Sequence, residues 1–265
     1  MASTTGTTTW IDLGSKGLDE TQRFYSGLFG WTFESQGEEF GGYSIIRNGD
    51  DLVGGAMDIT GMTCPQGGEI PARWDVYLTA DDLDARLASA QQHGATLPME
   101  PQQIGDAGRM GMLIDPTGAP INVWEPNELP GYDFTGKPGS PVWFELMTHQ
   151  YDRAVEFYTA VFDAQMVPMS EQMDDDSFRY STNGTQDVAT WGLGDATGVM
   201  PEEAAGWRIY LAVESCDAAA QKVVDLGGQL LDGPVDSPFG RIATVADPHG
   251  ATFQISAMSE AVPEG

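Results

Sequence analysis

Apolar positions along the chain switch between two spacings, and the switches predict the elements. Over residues 18–29 Leu18, Phe24 and Leu28 fall at helical spacing with Tyr25 beside them, and the run stops at Gly30, a natural C-cap. Short runs over 10–14, 43–46 and 52–57 predict strands, and Asn48-Gly49 predicts a tight turn between the last two. After a Pro/Gly-rich stretch near 65–71 the pattern restarts. It predicts a strand over 74–79, a helix over 83–92 ending at Gly94, and a hairpin of 111–114 with 121–124 turning on Asp115-Pro116-Thr117-Gly118.

The second half repeats the first. Trp10, Phe24-Tyr25, Tyr77 and Gly94 recur 133 residues later as Trp143, Phe157-Tyr158, Tyr210 and Gly227. Gly108-Arg109, Asp115-Pro116-x-Gly118 and Asn122 recur 132 residues later as Gly240-Arg241, Asp247-Pro248-x-Gly250 and Gln254. A repeat of this length means two copies of one domain in tandem. The expected elements of the second copy are strands over 142–147 and 208–213, helices over 152–162 and 218–226, and a hairpin of 242–245 with 252–255. The reading is an α+β chain of four βαβββ units, paired into two domains (1–129 and 142–265) with curved, mostly antiparallel sheets. Residues 130–141, rich in Pro and Gly, are the expected linker.

Composition narrows the partners. Forty acidic against twelve basic residues give a formal charge of −28, which repels nucleic acid and anionic membrane surfaces. The excess is spread along the chain apart from Asp174-Asp175-Asp176, and it reads as a solvated surface. No apolar run reaches the length of a membrane span, and the first residues have neither basic nor apolar character of a secretory signal. Cys64 and Cys216 occupy non-equivalent places in the two copies, so the expectation is no disulfide framework and a reduced, cytoplasmic setting. Asn183-Gly184-Thr185 reads as a turn.

The Phe24-Tyr25 pair followed by Leu28-Phe29-Gly30-Trp31, the junction Tyr77-Leu78-Thr79-Ala80-Asp81-Asp82-Leu83-Asp84 and the two Asp-Pro-x-Gly turns resemble the vicinal oxygen chelate superfamily. That superfamily includes glyoxalase I, bleomycin-resistance proteins and extradiol dioxygenases. The resemblance spans about residues 10–257 and implies two glyoxalase-like domains. Residues 104–110, followed by Asp115-Pro116-Thr117-Gly118-Ala119, resemble more narrowly the tandem actinobacterial members, which carry hydroxylase or glyoxalase labels. One fold hosts many chemistries, so the site must be argued from its own residues.

Metal-dependent members place a His or Glu on the first strand, a His on the fifth and a Glu on the last. The corresponding residues here are Trp10, Asp75 and Asn122 in the first copy, and Trp143, Arg208 and Gln254 in the second. Indole cannot ligate a hard cation, amides are weak ligands and guanidinium repels one. The expectation is no metal and no other cofactor. None of the three histidines (His93, His149, His249) falls on a strand position facing a cup.

Strand alternation would put Trp10, Asp12, Asp75, Tyr77, Asn122 and Trp124 in the first cup. Trp143, Glu145, Arg208, Tyr210, Gln254 and Ser256 would line the second. Such surfaces suit a flat, partly apolar ligand, as in bleomycin-resistance-like members. The competing reading is that the two Trp side chains fill the space of a lost metal. Asp12 and Asp75 are the candidate catalytic pair, their repulsion raising one pKa, unless backbone or water holds each of them. Glu145 and Arg208 are expected to neutralise each other, or Arg208 to grip a ligand carboxylate. Arg109 and Arg241 either gate the cups or pair with surface acids. Gly105-x-x-Gly108-x-x-Gly111 precedes a hairpin and is no dinucleotide fingerprint. The chain therefore reads as a monomer or homodimer that binds a small aromatic or polycyclic molecule without metal, in secondary metabolism or self-protection. The alternatives are a metal-independent proton-transfer enzyme acting on a ketone or quinone-like metabolite, and a metal-dependent glyoxalase or dioxygenase.

Overall fold

A computed structural model describes residues 4–63, 67–169 and 178–258; Cys64 and the Asp174-Asp175-Asp176 run lie outside them. The first half runs β1 (Thr8–Ser15), α1 (Leu18–Phe29), β2 (Thr32–Ser35), β3 (Ser44–Asn48) and β4 (Asp51–Asp58), then β5 (Arg73–Thr79), α2 (Leu83–Gln92), β6 (Gln102–Ile104), β7 (Gly108–Ile114) and β8 (Pro120–Pro126). The second half runs β9 (Pro141–Thr148), α3 (Tyr151–Phe162), β10 (Met166–Pro168), β11 (Tyr180–Asn183) and β12 (Gly192–Asp195), then β13 (Gly206–Ala212), α4 (Cys216–Asp225), β14 (Gln229–Ser237), β15 (Gly240–Ala246) and β16 (Thr252–Ala257). The expected α+β chain of four βαβββ units is what forms.

Each half supplies one eight-stranded sheet, ordered β2-β3-β4-β1-β5-β8-β7-β6 and β10-β11-β12-β9-β13-β16-β15-β14. Hairpin neighbours pair antiparallel, whereas β1 with β4, β5 with β8, β9 with β12 and β13 with β16 are parallel. The sheets are therefore mixed, because each unit's helix returns the chain on the same face. Among the described residues no helix is long and apolar enough to cross a membrane.

Grouped by contact density, the chain falls into two compact units that do not follow its halves. Unit one holds residues 1–10, 75–131 and 144–208, and unit two holds 11–74, 132–143 and 209–265. In unit two α1 packs on α4. A Cβ on Gly27 would sit 2.9 Å from Leu226 Cδ2, so the glycine allows the close approach. The core there is aromatic: the rings of Tyr25 and Trp31 stack at 5.3 Å, and Phe253 lies against Phe24, Tyr25 and Phe29. In unit one α2 packs on α3. Arg86 holds the pair together, donating to the Val161 carbonyl at 2.8 Å and bridging Asp81 and Asp163. Its hydrogen bonding to Asp81, helped by its charge, pulls that carboxyl down to about 2.

The expected linker is bound along unit two. Asp133 and Leu52 exchange hydrogen bonds in both directions, at 2.8 and 2.9 Å, and the Trp31 indole donates to Gly139 at 2.8 Å.

Candidate functional site

The residues that repeat most clearly build a buried relay. In unit one the Trp207 indole donates to the Tyr158 hydroxyl at 3.1 Å, which donates to Asp115 Oδ2 at 2.8 Å. Asp115 Oδ1 in turn accepts from the Thr117 amide, the Thr117 hydroxyl and the Ala119 amide. Unit two repeats the chain of bonds: Trp74 to Tyr25 at 3.0 Å, Tyr25 to Asp247 at 3.3 Å, and the His249 and Ala251 amides to Asp247 at 2.9 Å each. The Phe-Tyr pairs and Asp-Pro-x-Gly turns thus serve the core. Burial, then the nearby Asp247 and Asp115 carboxylates respectively, pushes the Tyr25 and Tyr158 hydroxyls well above the usual phenol range. Burial also raises the Asp247 carboxyl. Trp74 and Trp207 belong to this relay although they were not among the expected site residues. Their spacing of 133 was the signal that could have found them.

The candidate ligand face lies on the other side of the strands. In the first sheet Tyr77 stands opposite Asn122 and Thr79 opposite Trp124 across β5 and β8, and β7 places Met112 and Met110 beside that pair. Alternation puts Asp75 on this face, and sends Val76 and Leu78 to the helix side. Trp10, Tyr77, Asn122 and Trp124 are all buried, and Asp75 is half-buried. The Trp124 indole N–H donates to the Leu129 carbonyl at 2.9 Å, so this ring offers area and no donor. Asp12, in unit two, accepts from the Tyr43 hydroxyl at 2.5 Å. Gly55, its neighbour on β4, makes room: a Cβ there would fall 1.7 Å from the Tyr43 oxygen. Asp12 is therefore already engaged as an acceptor.

In the second sheet the unit-one part carries Glu145 opposite Gly192, and Arg208. The Arg208 guanidinium reaches Met200 Sδ at 3.0 Å and the Ala204 carbonyl at 3.2 Å, contacts within its own segment. The unit-two part places Tyr210, Gln254 and Thr244 in one row across β13, β16 and β15, with Ser256 two residues on and Trp143 on β9. Gln254 is 4 % exposed and its Oε1 lacks a hydrogen-bond partner.

Metal chemistry fits these residues poorly. The three strand positions in each half hold indole, one carboxylate or a guanidinium, and an amide. Among the described residues no group of three or more His, Cys, Asp or Glu could hold a metal ion. His93 caps α2, its Nδ1 2.8 Å from the Ser89 carbonyl. His249 sits in its turn with Nε2 3.5 Å from Glu20. His149 borders a cleft of about 280 Å³ in unit one, with Thr117 and Glu202 on its walls. Arg109 pairs with Asp84 and Glu125, and Arg241 with Asp217 and Asp236, so both serve surface acids.

Comparison with known proteins agrees with this architecture. Residues 140–255 match the model of the glyoxalase/bleomycin resistance protein/dioxygenase superfamily, and residues 9–124 match that of a glyoxalase-like domain. The anthracycline biosynthesis protein DauV of Streptomyces sp. (strain C5) is 33% identical, over 97% of this chain and 95% of DauV. The 2,3-dioxygenase LapB of Pseudomonas sp. KL28 superposes with a TM-score of 0.65 at 14% identity, covering 97% of this chain and 93% of LapB. The Mn(II)-bound glyoxalase of Novosphingobium aromaticivorans gives 0.63 at 15%, covering 98% and 84%. These two structural likenesses concern the fold.

Proposed function

The chain belongs to the glyoxalase/bleomycin resistance protein/dioxygenase superfamily, and from that membership we propose that it binds a small, planar, partly apolar organic molecule on its strand faces without a metal. One observation carries the reading. At the six strand positions where the family's metal-dependent members hold ligands, this chain presents Trp10, Asp75, Asn122, Trp143, Arg208 and Gln254, a set that suits stacking and hydrogen bonding. The 33% likeness to DauV, a protein named for anthracycline biosynthesis, supports a role in secondary metabolism.

Elemental mass spectrometry of protein purified without chelator or affinity metal is expected to find far less than one metal ion per chain. Tryptophan fluorescence is expected to quench saturably on titration with planar aromatic compounds, unaffected by EDTA. Stoichiometric manganese, iron, nickel or zinc, with quenching that EDTA abolishes, would overturn the reading.

A second reading has one observation behind it. Asp75 is half-buried on the same face of β5 as Tyr77, where a carboxylate is a candidate proton-transfer group. Binding alone predicts that Asp75→Asn keeps the affinity for the quenching ligand. An enzyme instead requires wild-type protein to convert that ligand and Asp75→Asn to lose turnover by a hundredfold or more, on the order of a general base's contribution. Chromatography of the ligand after incubation decides between them.

A further inference from the structure

Four buried side-chain atoms among the described residues lack a hydrogen-bond partner: Thr79 Oγ1, the Nε2 atoms of His149 and His249, and Gln254 Oε1. The last is distinctive, because an amide oxygen is purely an acceptor. Gln254 is 4 % exposed, and it stands between Tyr210 and Thr244 on the strand face opposite Phe253 and Ile255, which are buried against the helix side. The first sheet has Asn122 in the matching place beside Tyr77, one methylene shorter. A buried acceptor without a donor is costly and is normally matched by one.

Resting on the ligand-binding reading above, we propose that Gln254 Oε1 is the acceptor for a hydroxyl of the bound molecule. The second sheet is then the selective one, and the ligand class narrows to hydroxylated planar aromatics. The hydroxyl donates to Gln254 while the ring plane packs against the neighbouring aromatic side chains of that face. A methyl ether of the same ring system leaves the acceptor unmatched and adds bulk where the proton belonged.

The test is calorimetric titration of the full chain with 2-naphthol and with 2-methoxynaphthalene. Wild type is expected to bind the naphthol about tenfold more tightly, the value of one hydrogen bond to a buried acceptor. Gln254→Met, which keeps the length and removes the acceptor, is expected to bring the ratio to about one. Its ligand-free Tm should stay level or rise, since the unmatched oxygen is gone. Gln254→Glu, which keeps an acceptor, should retain the preference for the naphthol. Equal binding of the two probes by wild type, or a preference that survives Gln254→Met, overturns this assignment while leaving ligand binding in place. Failure of both probes to bind wild type removes the ligand-binding reading and this assignment with it.

Discussion

Asp115→Ala is expected to destabilise the protein by about 3–4 kcal/mol, the usual scale for breaking a buried hydrogen-bond network. The carboxylate is 3 % exposed and accepts from four donors: two amides and a hydroxyl of its own turn, and the Tyr158 hydroxyl. Alanine leaves the Ala119 amide and the Tyr158 hydroxyl buried without this acceptor and strips it from two part-buried donors of Thr117, and the Trp207 indole loses the hydroxyl orientation it donates into. At this chain length the loss corresponds to a Tm lower by roughly 10 °C. Tyr158→Phe removes a single link and should cost about 1–2 kcal/mol. In the double variant the two losses should fall short of their sum, because the residues share one network. Urea unfolding of the four proteins measures this; a cost under 1 kcal/mol for Asp115→Ala, or strict additivity, would show that the relay contributes little.

The same relays set an alkaline limit. Burial holds the Tyr25 and Tyr158 hydroxyls protonated well above the ordinary phenol value. In the unfolded chain both ionise near pH 10. The folded pKa values lie above the unfolded ones, so the stability they contribute is complete below about pH 10 and is lost as the pH climbs toward the folded values. In that window the native state binds more protons than the unfolded state. Stability should therefore fall by about 1.4 kcal/mol per pH unit for each tyrosine. Urea midpoints followed from pH 8 to pH 11.5 should drop steeply in wild type and flatten in the Tyr25→Phe/Tyr158→Phe double variant. Parallel profiles for the two proteins would refute the assignment.

Much of the architecture was legible because it rests on local patterns. Residues 18–29 and 83–92 form helices with the expected bounds, since apolar spacing and terminal Gly30 and Asp82 specify them without long-range help. The strands β2 and β6 escaped notice because they are short and mostly exposed, and backbone pairing to β3 and β7 forms them. The longer, largely exposed β14 has a different reason: its pairing to β15 carries two register shifts that no alternation rule anticipates. At the site, the strand positions of Trp10, Asp75, Asn122, Trp143, Arg208 and Gln254 followed from counting along the repeat. Their partners did not. The bond from Tyr43 to Asp12 links residues 31 apart, and Arg208 reaches Met200 and Ala204 through the shape of one loop. A repeated residue marks a shared task without saying which one. Phe-Tyr and Asp-Pro-x-Gly looked like family badges, and the Tyr of each pair proves to be hydrogen-bonded to the Asp of one such turn.

The mixed membership of the compact units bears on how the protein is made. Unit one needs residues as far as Arg208, and unit two begins near the start of the chain yet waits for its last fifty or so residues. A nascent chain leaving the ribosome therefore cannot finish its first repeat alone: Tyr25 and the α1 helix emerge early, with Asp247 and α4 still untranslated. Domains usually fold in order as they emerge. Here α1 emerges early yet belongs to a unit that closes only with α4, and its aromatic face stays uncovered while the residues between them are made.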